Sequence, residues 1–327
     1  MNGEPACCFL FASRGKSSGS VPLPEVDMDS RTLVSKTIRG ENPSRTPIYG
    51  WVSANLTPQL TDAFGSVEAF EDHYGFDMAH LFGGPSSFDE EAFAAIRASG
   101  EELTPEVLLQ IPLRPVDRTE DYADVVRQLE WHQKQRGKFC YLALYPEELQ
   151  EVYRRQSVWN RQFADCLIDL GVDMVHVSDD WGAQRGLLFS PETWRRMIHP
   201  YHKVVADRVK ERGCFLSLHS DGNINAVLPG IVDLGYDVVH PWQEAAGMDY
   251  GTYLRDYADR LGILGGLCIQ TTLGFGDRTR LESEIRRVFG LLKGKRWMFC
   301  TTHFVQEHCS IEELVFAYDL ATELARG

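Results

Sequence analysis

Imidazoles and carboxylates recur in this sequence just after short apolar runs. Val177 is followed by Ser178, Asp179, Asp180 and Trp181, and Leu218 by His219, Ser220, Asp221 and Asn223. Val239 leads into His240, Trp242, Gln243 and Glu244, Leu267 into Cys268 and Gln270, and the last run into Cys300, Thr301, Thr302 and His303. Groups that exchange protons near neutrality, gathered at one end of successive strands, point to an active site rather than a passive binding surface. His219, Asp221 and His303 are expected closest to the chemistry. Alternate residues of an extended chain face opposite ways, so only one of Asp179 and Asp180 is expected in the pocket, and Asp180 is favoured. Trp51, Trp181 and Trp242 also follow apolar runs and are read as pocket wall. His73, His132, His199 and His202 fall within helical patterns and are read as packed or solvated.

The elements that must hold these groups alternate. Strand-like runs cover Pro47 to Trp51, Asp77 to Phe82, Lys138 to Leu144, Asp173 to Val177, Cys214 to Leu218, Tyr236 to His240, Gly262 to Leu267 and Trp297 to Thr301. Between them lie helical periodicities, such as Ser157 to Leu170, Pro191 to Arg212, Ile224 to Leu234, Tyr250 to Arg260 and Thr279 to Leu292. Gly171, Gly213 and Gly235 sit where a helix must turn back into a strand. Eight strands without a GxGxxG phosphate turn favour closure into a (β/α)8 TIM barrel, whose active site lies at the carboxyl ends of the strands. One domain is expected over 28–327, with 1–27, rich in Ser, Gly and Pro beyond Ala12, as a disordered tail.

The chain has 327 residues and a formal charge of −14, which disfavours nucleic acid and anionic membrane surfaces as partners. No apolar stretch has the length of a membrane span, and the apolar Ala6–Ala12 segment lacks a preceding basic residue, so a cytoplasmic protein is expected. The eight cysteines form no CxxC pair and are expected as reduced thiols.

The blocks Asp179-Asp180-Trp181-Gly182-Ala183-Gln184, Phe189-Ser190-Pro191-Glu192, Leu218-His219-Ser220-Asp221-Gly222-Asn223, His240-Pro241-Trp242-Gln243 and Thr301-Thr302-His303 resemble the uroporphyrinogen decarboxylase superfamily, which includes corrinoid-linked methyltransferases. The decarboxylases of that family carry an arginine-rich segment near the first strand that binds the substrate's carboxylates. Here Pro47-Ile48-Tyr49-Gly50-Trp51-Val52 stands in its place. The methyltransferase branch binds zinc through a His-x-Cys pair and a later Cys, and these positions map to His219, Asp221 and His303, with Cys300 nearby as a possible ligand. The resemblance therefore implies a methyltransferase that uses zinc or another divalent metal, acting on a small methylated substrate or a corrinoid protein, with corrinoid as a co-substrate. Asp180, His219 and His303 would be catalytic. Trp51, His80, Asp179, Gln184, Asn223, His240, Gln243 and Gln270 would contact substrate. The alternatives are a porphyrin-biosynthesis decarboxylase, in which Asp180 stabilises a protonated pyrrole-like intermediate, and a non-catalytic barrel that binds a corrinoid or small ligand. A homodimer is a further expectation.

Overall fold

The computed structural model describes residues 7–11, 28–81, 87–116 and 141–327. Among these the strands are β1 (Cys7–Phe11), β2 (Met78–Leu81), β3 (Met174–Ser178), β4 (Gly182–Ala183), β5 (Gly186–Leu187), β6 (Phe215–His219), β7 (Val238–His240), β8 (Gly262–Leu267) and β9 (Trp297–Thr301). The helices are α1 (Ser30–Arg39), α2 (Ser53–Phe64), α3 (Val67–Tyr74), α4 (Glu90–Ser99), α5 (Pro105–Gln110), α6 (Tyr141–Leu144), α7 (Pro146–Asp169), α8 (Pro191–Met197), α9 (His199–Glu211), α10 (Leu228–Asp233), α11 (Tyr250–Asp256), α12 (Arg278–Leu292) and α13 (Ile311–Arg326). The fold is α/β with parallel strand pairing. No helix of the described residues is long and apolar enough to cross a membrane.

The contacts sort into two compact units. The first takes in Met1–Leu10 and His80–Tyr236, the second Phe11–Ala79 and Asp237–Gly327.

In the first unit β3 and β6 run parallel from Met174↔Phe215 to Ser178↔His219, so both strands end level. Their side chains are almost wholly buried, as in parallel strands covered on both faces. β1 lies antiparallel on β3, with Cys7 opposite His176. This corrects the reading of residues 7–11 as tail: the strand takes its ladder bonds from a segment far along the chain, which local composition does not reveal. The expected strand from Lys138 to Leu144 is also corrected. Tyr141–Leu144 is one helical turn leading into Pro146, which sits at the start of α7, and 138–140 lie outside the described residues. The helix expected over Pro191 to Arg212 is two, parted at Ile198, because Pro200 suits only a first turn.

In the second unit β7, β8 and β9 pair in parallel, with Val238 opposite Gly262 and Leu267 opposite Thr301. The expected strand at Pro47 to Trp51 contracts to a single parallel bridge between Ile48 and Phe299. Pro47 has no N–H to give, and Trp51 donates its own to the Thr301 hydroxyl instead of a ladder carbonyl. Tyr318 of α13 is fully buried and meets Phe70, Phe76 and Phe299 at ring separations of 5.7, 5.2 and 5.8 Å. Its hydroxyl donates to the Tyr49 carbonyl at 2.9 Å. Beneath this, Asp77 is buried and fully bonded. Arg45 grips it with two nitrogens at 2.7 Å, and Ser30 and the Ile48 amide supply the rest.

Candidate active site

Because β3 and β6 finish level, the loops that follow them emerge side by side and are knitted together. The Asp179 amide donates to the His219 carbonyl at 3.0 Å and the Asn223 amide to the Ala183 carbonyl at 2.9 Å. The Trp181 amide donates to the Ser220 hydroxyl at 2.9 Å. Finally, the Asp221 amide donates to Asp180 Oδ1 at 2.8 Å. Two glycines make the approach possible. A Cβ at Gly182 would lie 2.3 Å from the Asp221 carbonyl oxygen, and one at Gly222, whose φ is +78°, would lie 2.5 Å from the Gly182 carbonyl carbon.

The result is a compact donor group. Asp180, His219 and Asp221 each offer one ligand atom within 4.8 Å of the others. His219 Nε2 stands 3.7 Å from Asp180 Oδ1 and 3.9 Å from Asp221 Oδ1. The imidazole is buried, whereas the carboxylates keep 57% and 34% of their side-chain surface exposed, leaving the group open on one side. Ligand atoms about 2.1 Å from one tetrahedral ion lie roughly 3.4 Å apart, so one nitrogen and two oxygens within 4.8 Å of one another could hold a divalent cation after the donors draw in. The loop after β3 brings Asp180 beside His219 and Asp221. The reason is the strand register, which makes the loops after β3 and β6 neighbours.

Two further imidazoles lie behind His219. The His176 ring is 6.2 Å from that of His219 and 5.1 Å from that of His80, and His176 Nδ1 is 2.6 Å from the Ser217 hydroxyl. Burial holds the pKa of His80 well below the ordinary imidazole value, and the nearby His219 pushes the same way. The sequence reading missed His176, whose signal was a titratable residue in the middle of an otherwise apolar strand.

Other expected residues fall elsewhere in this unit. Asp179 is bound by His202, Nε2 to Oδ2 at 3.0 Å. Asn223 turns its side-chain oxygen onto the Asn225 amide, fixing the next turn. Gln184 is exposed between β4 and β5. Trp181 is fully buried and packs edge-on against Trp194, so it belongs to the core and not to a pocket wall.

The second unit assembles its own set. Trp51 stacks on His240 at 4.4 Å and lies 6.5 Å from the His303 ring. His240 is wholly buried with Nε2 3.0 Å from the Thr301 carbonyl. Gln243 donates to Gln270 at 2.6 Å. His303 is partly buried, its Nδ1 3.3 Å from both the Phe304 carbonyl and the Gln306 amide nitrogen. Trp242 is fully buried against Tyr253, again core and not wall. Cys300 is likewise buried, and desolvation pushes its thiol well above the usual range.

The structure is similar to that of a methyltransferase from Methanosarcina mazei, with a TM-score of 0.60 over 91% of this chain and 99% of that one. Identity is 13%, so this likeness concerns the fold. No curated protein matches the chain in sequence. The profile of the family described as uroporphyrinogen decarboxylase (URO-D) matches residues 135–324, which contain Asp180, His219 and Asp221, and the chain belongs to that family.

Proposed function

We propose that the chain is a (β/α)8-barrel enzyme of the methyltransferase-like branch of the URO-D family, acting on a small methylated substrate or a corrinoid protein with the help of a divalent metal. The observation that carries this reading is the convergence of Asp180, His219 and Asp221 within 4.8 Å. These three residues would hold the ion. A bound divalent cation supplies Lewis acidity, lowering the pKa of an acceptor such as a thiol into the neutral range. The protein's own part is to present a buried imidazole beside two partly exposed carboxylates, so that a substrate approaches from the carboxylate side and water is kept from the imidazole side. Family membership and the fold shared with a methyltransferase support this branch.

The decarboxylase alternative asks for guanidinium groups to bind a polycarboxylate. Arg45, which precedes the Pro47–Val52 segment, is committed to buried Asp77 and unavailable for that task. Metal analysis of the gently purified protein, followed by Co2+ titration, tests the proposal. One equivalent of metal is expected, with binding lost in His219→Ala. A metal-free protein that transfers methyl groups at full rate would overturn the Lewis-acid reading.

A further inference from the structure

The Asp180 side chain is mostly exposed, yet its carboxylate accepts from the Asp221 amide at 2.8 Å and lies 3.7 Å from His219 Nε2. An aspartate at the surface has several rotamers, so a fixed carboxylate implies a fixed backbone beneath it. Both residues flanking Asp180 rest on one side chain, His202 of α9. Asp179 Oδ2 is 3.0 Å from His202 Nε2, and the Trp181 ring meets the imidazole edge-on at 4.9 Å. His202 is itself held, since its Nδ1 is 2.8 Å from the Tyr236 hydroxyl. Tyr236 is buried and its phenol is pushed up by desolvation and by the charge of Asp179, so it stays protonated and donates. With Nδ1 accepting from Tyr236, Nε2 carries the proton and donates to Asp179.

We propose that His202 is the positioning residue of the Asp180–His219–Asp221 group: by gripping Asp179 and Trp181 on either side, it sets the Asp180 carboxylate on the Asp221 amide and opposite His219. The juxtaposition stands on the described contacts alone, while its consequence for metal binding rests on the reading given under Proposed function.

Two measurements separate the claims. The first is the amide resonance of Asp221 in the full-length protein without metal. Its shift reports the hydrogen bond to Asp180, and Asp180→Ala supplies the value when that bond is absent. His202→Phe keeps a ring against Trp181 but cannot donate to Asp179, so the Asp221 resonance is expected to move most of the way to the Asp180→Ala position. His202→Gln, whose amide reaches where Nε2 was, is expected to restore it. Asp179→Ala breaks the same grip from the other end and serves if the Phe variant does not fold. An Asp221 resonance unchanged from wild type in a folded His202→Phe or Asp179→Ala protein would overturn the proposal. The second measurement is Co2+ titration of the same variants, where His202→Phe is expected to weaken binding about 10- to 100-fold. Failure of the wild type to bind Co2+ would sink the metal reading, while the Asp221 resonance still decides the role of His202.

Discussion

Two carboxylates brought within a few ångströms of each other repel unless something positive or proton-bearing stands between them. In this chain the Asp221 amide and the His219 imidazole stand by the two carboxylates. Asp180→Asn and Asp221→Asn are each expected to weaken Co2+ binding by at least about tenfold, while unfolding free energy changes by no more than about 0.5 kcal/mol, as for exposed positions. Calorimetric titration alongside urea denaturation checks both halves. Asp77 behaves in the opposite way. It is wholly buried on Arg45, so Arg45→Ala is expected to destabilise the fold by about 3–5 kcal/mol through the uncompensated charge left behind. At this level the sequence was partly legible. Strand alternation separates Asp180 from Asp179, and the structure has Asp180 with His219 and Asp179 with His202. His202 itself was hidden, because a histidine inside a helical pattern carries no mark of the strand end its helix face will meet.

Strand ends bring loops together, and here two loops share four hydrogen bonds and a glycine on each side. Gly182→Ala would force a methyl group into the Asp221 backbone, with no flexible side chain to yield. A loss of about 1–3 kcal/mol is expected, together with weaker Co2+ binding. Denaturation and titration of that single variant show whether loop spacing and metal affinity move together. On the outer side of the same unit, Asp165 of α7 is bound by Arg208 of α9 and by Arg212 just beyond it. Burial raises the Asp165 pKa, but the two guanidinium groups outweigh it and the net shift is downward. A carboxyl whose folded pKa is depressed stabilises the protein above its unfolded value and loses that contribution as pH falls through the folded one. Asp165→Asn is therefore expected to flatten the acid limb of the stability profile below about pH 4, as read by thermal melting across pH. The strands that apolar runs foretold best are those with both faces buried, such as β6, β8 and β9. The run before Pro146 was misread because a short apolar segment suits a helical turn as well as a strand.

The alternation of strand-like and helical runs marked the chain as α/β, yet it carried no sign that the second compact unit is built from two distant stretches, Phe11–Ala79 and Asp237–Gly327. Hydrogen bonds from Trp51 to Thr301, Asn55 to Val305, Tyr74 to Asp319 and Tyr318 to Tyr49 join them. Residues 237–327 expressed alone are expected to show little helical circular dichroism, and to gain it when 28–79 are co-expressed. A cooperative melt from the isolated piece would count against this interdependence. During synthesis the same architecture imposes a delay. Phe70 and Phe76 leave the ribosome long before Phe299 and Tyr318 exist, and translation of the intervening 77–298 takes on the order of ten to forty-five seconds at ordinary elongation rates. For that interval Phe70 and Phe76 lack the Tyr318 ring that covers them in the folded protein, so the nascent segment must wait with that aromatic surface uncovered.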